Sequence, residues 1–166
     1  MKRLVVYQSA TGFTAQYAAW IAEELSCGAK ELKQVSAAEI AQCDSVIFGG
    51  WIMGGNISGL EKLRKMNPAK LIVFGVGAMS DSEQVRNSLK NQNHLEVIPF
   101  FYLEGGLAFE KMGFFPKMML KTLHKAIAKK ENRTEQEEDM LKRFEGSFDH
   151  SDRERLAPLL KEVQEI

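Results

Sequence analysis

A hydroxyl-rich segment near the start of the chain offers the clearest chemistry. It leads from a short apolar run into a helical pattern and consists of Ser9, Ala10, Thr11, Gly12, Phe13 and Thr14. Backbone N–H groups and the helix dipole favour an anion at a helix N-terminus, and the three hydroxyls add neutral donors. The segment lacks the lysine of a nucleotide-triphosphate loop and has no GxGxxG motif, so it predicts a bound monophosphate. An ordinary Ser/Thr helix cap with a turn glycine explains the same residues equally well.

Two glycine-rich segments further along the chain carry residues suited to a flat ligand. Glycines let a backbone approach a ligand closely, and a tryptophan offers a surface for stacking. Segment Gly49–Asn56 contains Trp51, Ile52, Met53 and Gly54, and segment Gly75–Ser80 contains Gly77, Ala78 and Met79. Small residues in the second segment leave room for the edge of a ring. The alternative for Trp51 is a core aromatic beneath a loop.

These segments are positioned by apolar runs that predict strands buried on both faces. The clear runs are Leu4–Tyr7, Val46–Phe48 and Leu71–Val76; weaker runs are Glu31–Val35, an edge strand, and Val97–Leu103. Helical periods lie between them, at Thr14–Ser26 and Gly59–Met66. Strands alternating with helices predict an open α/β sandwich around a five-stranded parallel sheet. Ligands bind such sheets beyond the carboxyl ends of the strands, where the first and third loops meet.

The last third of the chain adds helices to this sandwich. Thr134–Glu137 and Ser151–Glu154 both match the capping box, so each predicts a helix start. Pro158 fits the first turn of the final helix if that helix begins close to it. We expect one domain over residues 1–166, with a helical insertion at about 109–150 before the last helix.

Charge and side-chain spacing exclude several classes of protein. Lys plus Arg number 22 and Asp plus Glu number 22, so no overall charge indicates a nucleic-acid partner. Cys27 and Cys43 are too few for a disulfide framework or a zinc site, and the three scattered histidines show no metal-ligand spacing. No acid–base pair for catalysis stands out. Neither a signal-peptide h-region nor an apolar stretch of about 20 residues occurs, so we expect a cytoplasmic protein.

The hydroxyl-rich loop resembles the flavodoxin phosphate loop T-x-T-G-x-T, with Ser9 in place of the first threonine. The strand spacing and both glycine segments within residues 1–104 are also similar to a flavodoxin domain. The resemblance implies a flavodoxin-like three-layer sandwich with strand order 2-1-3-4-5 and a non-covalently bound FMN. It further implies that the first loop holds the phosphate and that Trp51 flanks the isoalloxazine between the second and third segments. The tyrosine usual in the third segment is missing, and Met79 stands nearest to its place.

Two functions are consistent with this resemblance. Flavodoxins that only shuttle electrons are typically acidic, whereas this chain is neutral, and charge complementarity governs partner choice. Neutrality therefore favours an FMN-dependent oxidoreductase acting on a bulky apolar substrate or a quinone over a small electron-transfer protein. An interaction module without flavin is a third alternative. The layout is similar to that of the flavodoxin-like bacterial protoporphyrinogen oxidases, which pass electrons to menaquinone.

Residues 109–130 form a basic and apolar segment within the insertion of this layout. They contain six lysines against the single Glu110, together with several Phe and Met side chains. Packing of an apolar stripe on the sheet, with the lysines in water, is preferred here to peripheral contact with a membrane. Flexible apolar side chains beside lysines also suit a substrate pocket over the edge of the flavin.

Overall fold

A five-stranded parallel sheet forms the centre of the structure, a computed structural model that describes residues 1–166. The strands are β1 (Arg3–Gln8), β2 (Gly28–Glu31), β3 (Ser45–Met53), β4 (Asn56–Ile57), β5 (Leu71–Gly77), β6 (Phe100–Glu104), β7 (Gly106–Leu107) and β8 (Phe148–Asp149). The parallel strands lie in the order β2-β1-β3-β5-β6, while β4 pairs antiparallel with the end of β3. Counted along the parallel strands alone, this is the order 2-1-3-4-5, so the predicted fold is confirmed.

Helices cover both faces of the sheet. They are α1 (Phe13–Glu24), α2 (Ala37–Ile40), α3 (Leu60–Arg64), α4 (Glu83–Gln92), α5 (Phe114–Ala128), α6 (Glu135–Arg143) and α7 (Ala157–Glu165). Helices α1 and α7 pack on one face through a core cluster that includes Tyr17, Ile21 and Leu159. Helices α2, α3 and α4 pack on the other face through a second cluster. The three layers follow from strands that are apolar on both faces.

Strand β3 shows this double burial most clearly. Val46 and Phe48 point into the cluster under α2, α3 and α4, while Ile47 between them points into the cluster under α1 and α7. All three side chains are 0% exposed. Successive side chains of a strand point to opposite faces, so a continuous apolar run is what a central strand of such a sheet requires.

The prediction of an edge strand at Glu31–Val35 is wrong in its position. Strand β2 ends where that run begins, and the next residues form a 3-10 turn. Leu32 and Val35 are both buried, and their spacing places them on one side of that turn. The last strand likewise starts at Phe100, because Val97 lies in a turn with 93% of its surface exposed.

Residues 106–149 leave the sheet after β6 and return before α7. Strands β7 and β8 pair antiparallel at the neck of this insertion, and α5 and α6 lie beyond them. The predicted capping box at the start of α6 is present: Thr134 and Glu137 each accept a hydrogen bond from the backbone of the other. None of the helices combines the length and the hydropathy that crossing a bilayer requires.

Helix α5 does not pack on the sheet, so the preferred expectation for its apolar stripe is wrong. Only Ile127 of this helix is buried, and no α5 residue belongs to either core cluster. Its partner is α6. The exposed large apolar side chains of α5 are Phe114 (74%), Phe115 (69%), Met119 (54%), Met118 (45%) and Leu123 (43%).

The start of the last helical segment differs from the predicted Ser151–Glu154 capping box. Asp152, not Ser151, is the cap: its Oδ1 accepts the N–H of Glu154 at 2.9 Å and opens a 3-10 turn. Pro158 lies in the first turn of α7, as predicted. A proline is tolerated there because the N–H that it lacks has no helical acceptor.

Gly49 provides a test of how closely the core is packed. It lies opposite Phe74 of β5, and a methyl group on Gly49 would overlap the Phe74 ring. Because Phe74 is fully buried, the ring has no free space into which to move. Gly49→Ala is expected to lower the free energy of unfolding by about 1–3 kcal/mol, measured by urea denaturation.

Gly146→Ala is the matched control, since no atom lies within 4 Å of its added methyl group. An equal loss of stability in both variants would contradict the packing explanation.

Candidate functional site

Three chain segments meet at the carboxyl edge of the sheet. Strands β1, β3 and β5 are neighbours, with Gln8 opposite Gly50 and Trp51 opposite Val76. The segments that follow these strands therefore leave the sheet side by side. The strand order reverses between β1 and β3, which is where ligands bind in open α/β sheets. The structure thus brings the three predicted segments together.

The first loop ends at an uncapped helix N-terminus. Gly12 precedes α1 with φ +106°, a conformation that favours glycine, and its N–H donates to Ser9 Oγ at 3.2 Å. Phe13 and Thr14 begin the first turn of α1. The backbone N–H groups of Phe13, Thr14 and Ala15 have no acceptor within the chain. Such groups are the donors that a helix start presents to a ligand.

The residues of this loop fit a phosphate. No acidic side chain lies in the first turn of α1, and no side chain caps it, so the alternative of an ordinary Ser/Thr cap is not supported. Thr14 is 1% exposed, and Thr11 is half-buried beside it in the loop. Free amides, the helix dipole and neutral hydroxyls together favour a bound dianion.

The segment after the third strand is a β-hairpin. Strand β3 continues to Met53, and Gly54 and Gly55 turn with φ +57° and +80° into β4. The predicted strand end at Phe48 is therefore five residues too early. Strand β3 extends past its apolar run because β4 and β5 provide backbone hydrogen-bond partners for its last residues.

Asn93 fixes this hairpin against the end of α4. Its Nδ2 donates to Gly55 O and Leu89 O, both at 2.8 Å, and its Oδ1 accepts the N–H of Ile57 at 3.0 Å. Asn93 is buried, so these bonds satisfy its amide inside the protein. Sequence reasoning missed this residue because an asparagine after a helix is also an ordinary helix end.

Trp51 is half-buried near the end of β3 and packs against neither core cluster. A core aromatic beneath a loop is therefore not its role. Ile52 and Met79 do pack against the cluster that contains Phe48. Both side chains therefore contribute to that cluster and remain partly exposed.

In the loop after β5, backbone carbonyls are hydrogen-bonded within the protein and two backbone N–H groups are free. The Tyr102 hydroxyl donates to Met79 O at 2.8 Å, and burial raises the pKa of Tyr102, which keeps the hydroxyl protonated. The N–H groups of Ala78 and Met79 have no acceptor within the chain. Two donors are therefore free for a ligand in the segment that was predicted to lie at the edge of a ring.

The insertion is bonded directly to the same loop. Ser80 Oγ donates to Asp139 Oδ2 of α6 at 2.7 Å, and the Ser80 N–H donates to the same oxygen at 3.3 Å. Arg143, one turn further along α6, donates from Nη1 to Ala78 O at 3.4 Å. Helix α6 therefore fixes the loop that follows Gly77.

Glu104, at the end of β6, joins this loop to the rest of the structure. Its carboxylate is 9% exposed and accepts the N–H of Asp81 at 2.6 Å. Arg143 and Arg155 lie 3.5 and 3.4 Å from Glu104 Oε2, and His150 Nδ1 lies 3.7 Å from it. A buried carboxylate requires such partners. An acidic residue that ends an apolar strand was the available signal, and sequence reasoning missed it.

Two clefts lie away from these segments. One, of about 410 Å³, is at the opposite edge of the sheet beside Pro68 and Val97. The other, of about 430 Å³, lies within the insertion, with apolar side chains and lysines of α5 on one side and Phe144 on the other. No group of three or more His, Cys, Asp and Glu side chains is arranged to hold a metal ion.

A protein-family model decides between the interpretations of this site. The flavodoxin domain model matches residues 4–135, which is most of the chain. The protein belongs to the flavodoxin domain family. FMN is therefore its cofactor, as predicted, and the uncapped first turn of α1 fits the phosphate of FMN.

Solved structures give weaker matches. Oxidised Flavodoxin 2 from Bacillus cereus is 21% identical, with a TM-score of 0.45 over 63% of this chain and 84% of that one. A flavodoxin from the domain Archaea is 17% identical, with a TM-score of 0.43 over 63% and 83%. A flavoprotein from Lactobacillus acidophilus, solved in complex with FMN, is 15% identical, with a TM-score of 0.43 over 62% and 91%. No curated protein matches the sequence.

Asp139 tests the link between α6 and the loop after β5. Burial acts to raise the pKa of Asp139, but hydrogen bonds from Ser80 and the charge of Arg143 outweigh it and lower the pKa. The ionised form is thus favoured by folding, and its stabilisation is lost as the pH falls below the unfolded pKa of about 3.9. Asp139→Asn is expected to cost about 1–2 kcal/mol at about pH 7 and less at about pH 3.

Urea denaturation at the two pH values measures this difference. Glu135→Gln on the same helix is the control, because Glu135 forms no ion pair. The same loss for Asp139→Asn at both pH values would contradict the charge-dependent link.

Proposed function

We propose that the protein binds one FMN per chain and uses it as an oxidoreductase that exchanges electrons with a bulky apolar substrate or a quinone. The observation that carries the proposal is the uncapped first turn of α1 at the switch point of a flavodoxin-family sheet. Bound FMN supplies one- and two-electron transfer at its ring, while the protein supplies position and electrostatics.

The chain's own residues divide into two sets in this proposal. The phosphate is held by the first loop and the first turn of α1: Ser9, Ala10, Thr11, Gly12, Phe13 and Thr14. The ring lies between the hairpin and the loop after β5, with Trp51 on one face and backbone at its edge from Ile52, Met53, Gly54, Gly77, Ala78 and Met79. The free N–H groups of Ala78 and Met79 support this edge assignment, since they can donate to ring oxygens or nitrogens.

The phosphate assignment predicts a loss of FMN affinity when hydroxyls are removed. A double variant, Ser9→Ala with Thr14→Ala, removes two donors, each worth about 1–3 kcal/mol when the acceptor is charged. FMN titration followed by flavin fluorescence is expected to show a dissociation constant raised at least about 10-fold. Thr122→Ala is the control, because that hydroxyl bonds only to Met118 O within α5. Unchanged affinity in the double variant would remove the basis of the assignment.

The insertion supports an apolar substrate. Helix α6 bonds to the loop at the edge of the ring site, so the insertion lies beside that site. Its cleft combines the apolar side chains of Phe109, Leu120 and Phe144 with lysines. Such a lining suits a flat apolar molecule that carries oxygen or acidic groups. Oxidation of a porphyrinogen, as in the flavodoxin-like protoporphyrinogen oxidases, is one reaction of this class.

Leu120 tests the substrate side of the proposal. Leu120→Asn places an amide in the cleft, and it is expected to slow reoxidation of the reduced flavin by menadione at least about 10-fold, because apolar contact with the quinone is lost. Stopped-flow absorbance under anaerobic conditions measures the rate, and ferricyanide serves as a small polar acceptor whose rate stays unchanged. Leu123→Asn, on the exposed face of the same helix, is the matched control.

Equal menadione rates in wild type, Leu120→Asn and Leu123→Asn would instead favour the alternative function, a small electron-transfer protein without its own substrate. The neutral net charge argues against that alternative, because it offers no overall potential for docking on a basic partner.

We also propose a reducing compartment such as the cytoplasm, since Cys27 and Cys43 are both free thiols.

A further inference from the structure

We infer that α5 docks the protein on an anionic lipid surface, with its exposed apolar face at the boundary between headgroups and acyl chains. This inference goes beyond the proposed function and does not depend on bound FMN. It rests on how three kinds of side chain are distributed around one helix.

The first side of α5 holds the helix on the protein. Ile127 is buried, and Leu120 and His124 are half-buried beside the cleft of the insertion. His124 Nε2 lies 3.3 Å from Leu141 O of α6. This side fixes the rotation of α5, so the apolar side faces away from the domain. The lysine side lies between the two: Lys117, Lys121 and Lys125 also line the rim of the cleft, and Lys121 and Lys125 are exposed.

The second side is apolar and uncovered. Five large side chains with 43–74% of their surface exposed lie on it, and Phe114 and Phe115 contact each other edge to face at 5.6 Å. Solvent-exposed apolar side chains are normal when single, whereas a contiguous group marks an interaction surface. The described residues of the chain do not cover this side.

The third side is a row of lysines. Lys117, Lys121 and Lys125 follow one another at intervals of four residues, so they lie along one line of the helix. At 100° per residue, this line borders the apolar side next to Phe114 and Met118. Helix α5 contains no acidic residue, and these lysines form no ion pair within the chain.

An apolar side bordered by lysines matches the chemistry of an anionic lipid interface. Phe and Met side chains enter the boundary between headgroups and acyl chains, while lysine stems lie along the surface and the ammonium groups reach phosphates. Each lysine near such a surface strengthens binding about 5-fold. The whole chain carries as many acidic as basic residues, so the positive charge of α5 is confined to this part of the surface.

A second copy of the chain fits this surface less well. Symmetric pairing of two α5 helices would place the two lysine rows close together, and like charges repel at such an interface. Self-association is therefore an outcome that the experiment must separate from lipid binding.

The test is co-sedimentation of the full chain, loaded with FMN, with vesicles. We expect binding to vesicles of phosphatidylglycerol and phosphatidylcholine in equal amounts, and little binding to phosphatidylcholine alone. Lys121→Gln with Lys125→Gln is expected to weaken partitioning about 30-fold. Phe114→Ser with Phe115→Ser is expected to weaken it at least about 10-fold.

Matched controls come from the opposite part of the molecule. Lys62→Gln with Lys65→Gln removes two exposed lysines of the α3 region, and Val97→Ser removes an apolar side chain that is 93% exposed. Both are expected to partition like the wild type, and bound flavin absorbance in every sample reports separately on the cofactor site.

Two results would overturn the inference. In one, the wild type fails to bind anionic vesicles, or the Phe114/Phe115 variant binds as well as the wild type. In the other, sedimentation velocity shows a dimer that the Phe114/Phe115 variant abolishes, while vesicle binding is absent. Loss of vesicle binding with retained FMN, in the α5 variants alone, would support it.

Discussion

The buried carboxylate of Glu104 is the constraint on which the arrangement of the site depends. It sits at the carboxyl end of β6, accepts the N–H of Asp81, and faces Arg143 from the insertion and Arg155 from the segment before α7. The backbone carbonyl of Glu104 accepts the buried Tyr17 hydroxyl of α1 at 2.6 Å. One residue therefore ties the first helix, the loop at the ring edge, the insertion and the final segment together.

This arrangement separates rigid and adaptable parts. The loop after β5 is held by Tyr102 and by α6, and its free amides lie at the same edge of the sheet as those of the first turn of α1. Preorganised donors of this kind bind a charged group without the cost of ordering a loop. Helix α5 lies outside this network and offers lysines and exposed apolar side chains to other molecules.

The sequence predicted the sheet and its order because continuous apolar runs and alternating helices leave few topologies. It predicted that the first loop leads into α1, because Gly12 between hydroxyls before a helical pattern is a local signal; that this loop holds a phosphate stays a prediction. The ends of the strands were harder to predict from the sequence. Leu32 and Val35 are apolar but lie in a turn, and the apolar Trp51 lies in a hairpin beyond the predicted strand end. Most contacts of Glu104, Asn93 and Asp139 are made with residues distant in the chain, so a local signal such as the acidic end of β6 could mark the residue but not its partners.

The most direct measurement of the central claim is an NMR titration of the ¹⁵N-labelled protein with FMN. The account predicts that the amides of the first turn of α1, Phe13–Ala15, and those of Ala78 and Met79 shift most, because each is a free donor at the proposed site. Amides near Lys70 and Val97, at the opposite edge of the sheet, are predicted to remain in place. Shifts confined to the insertion cleft around Phe144, with the first turn of α1 unchanged, would contradict the account.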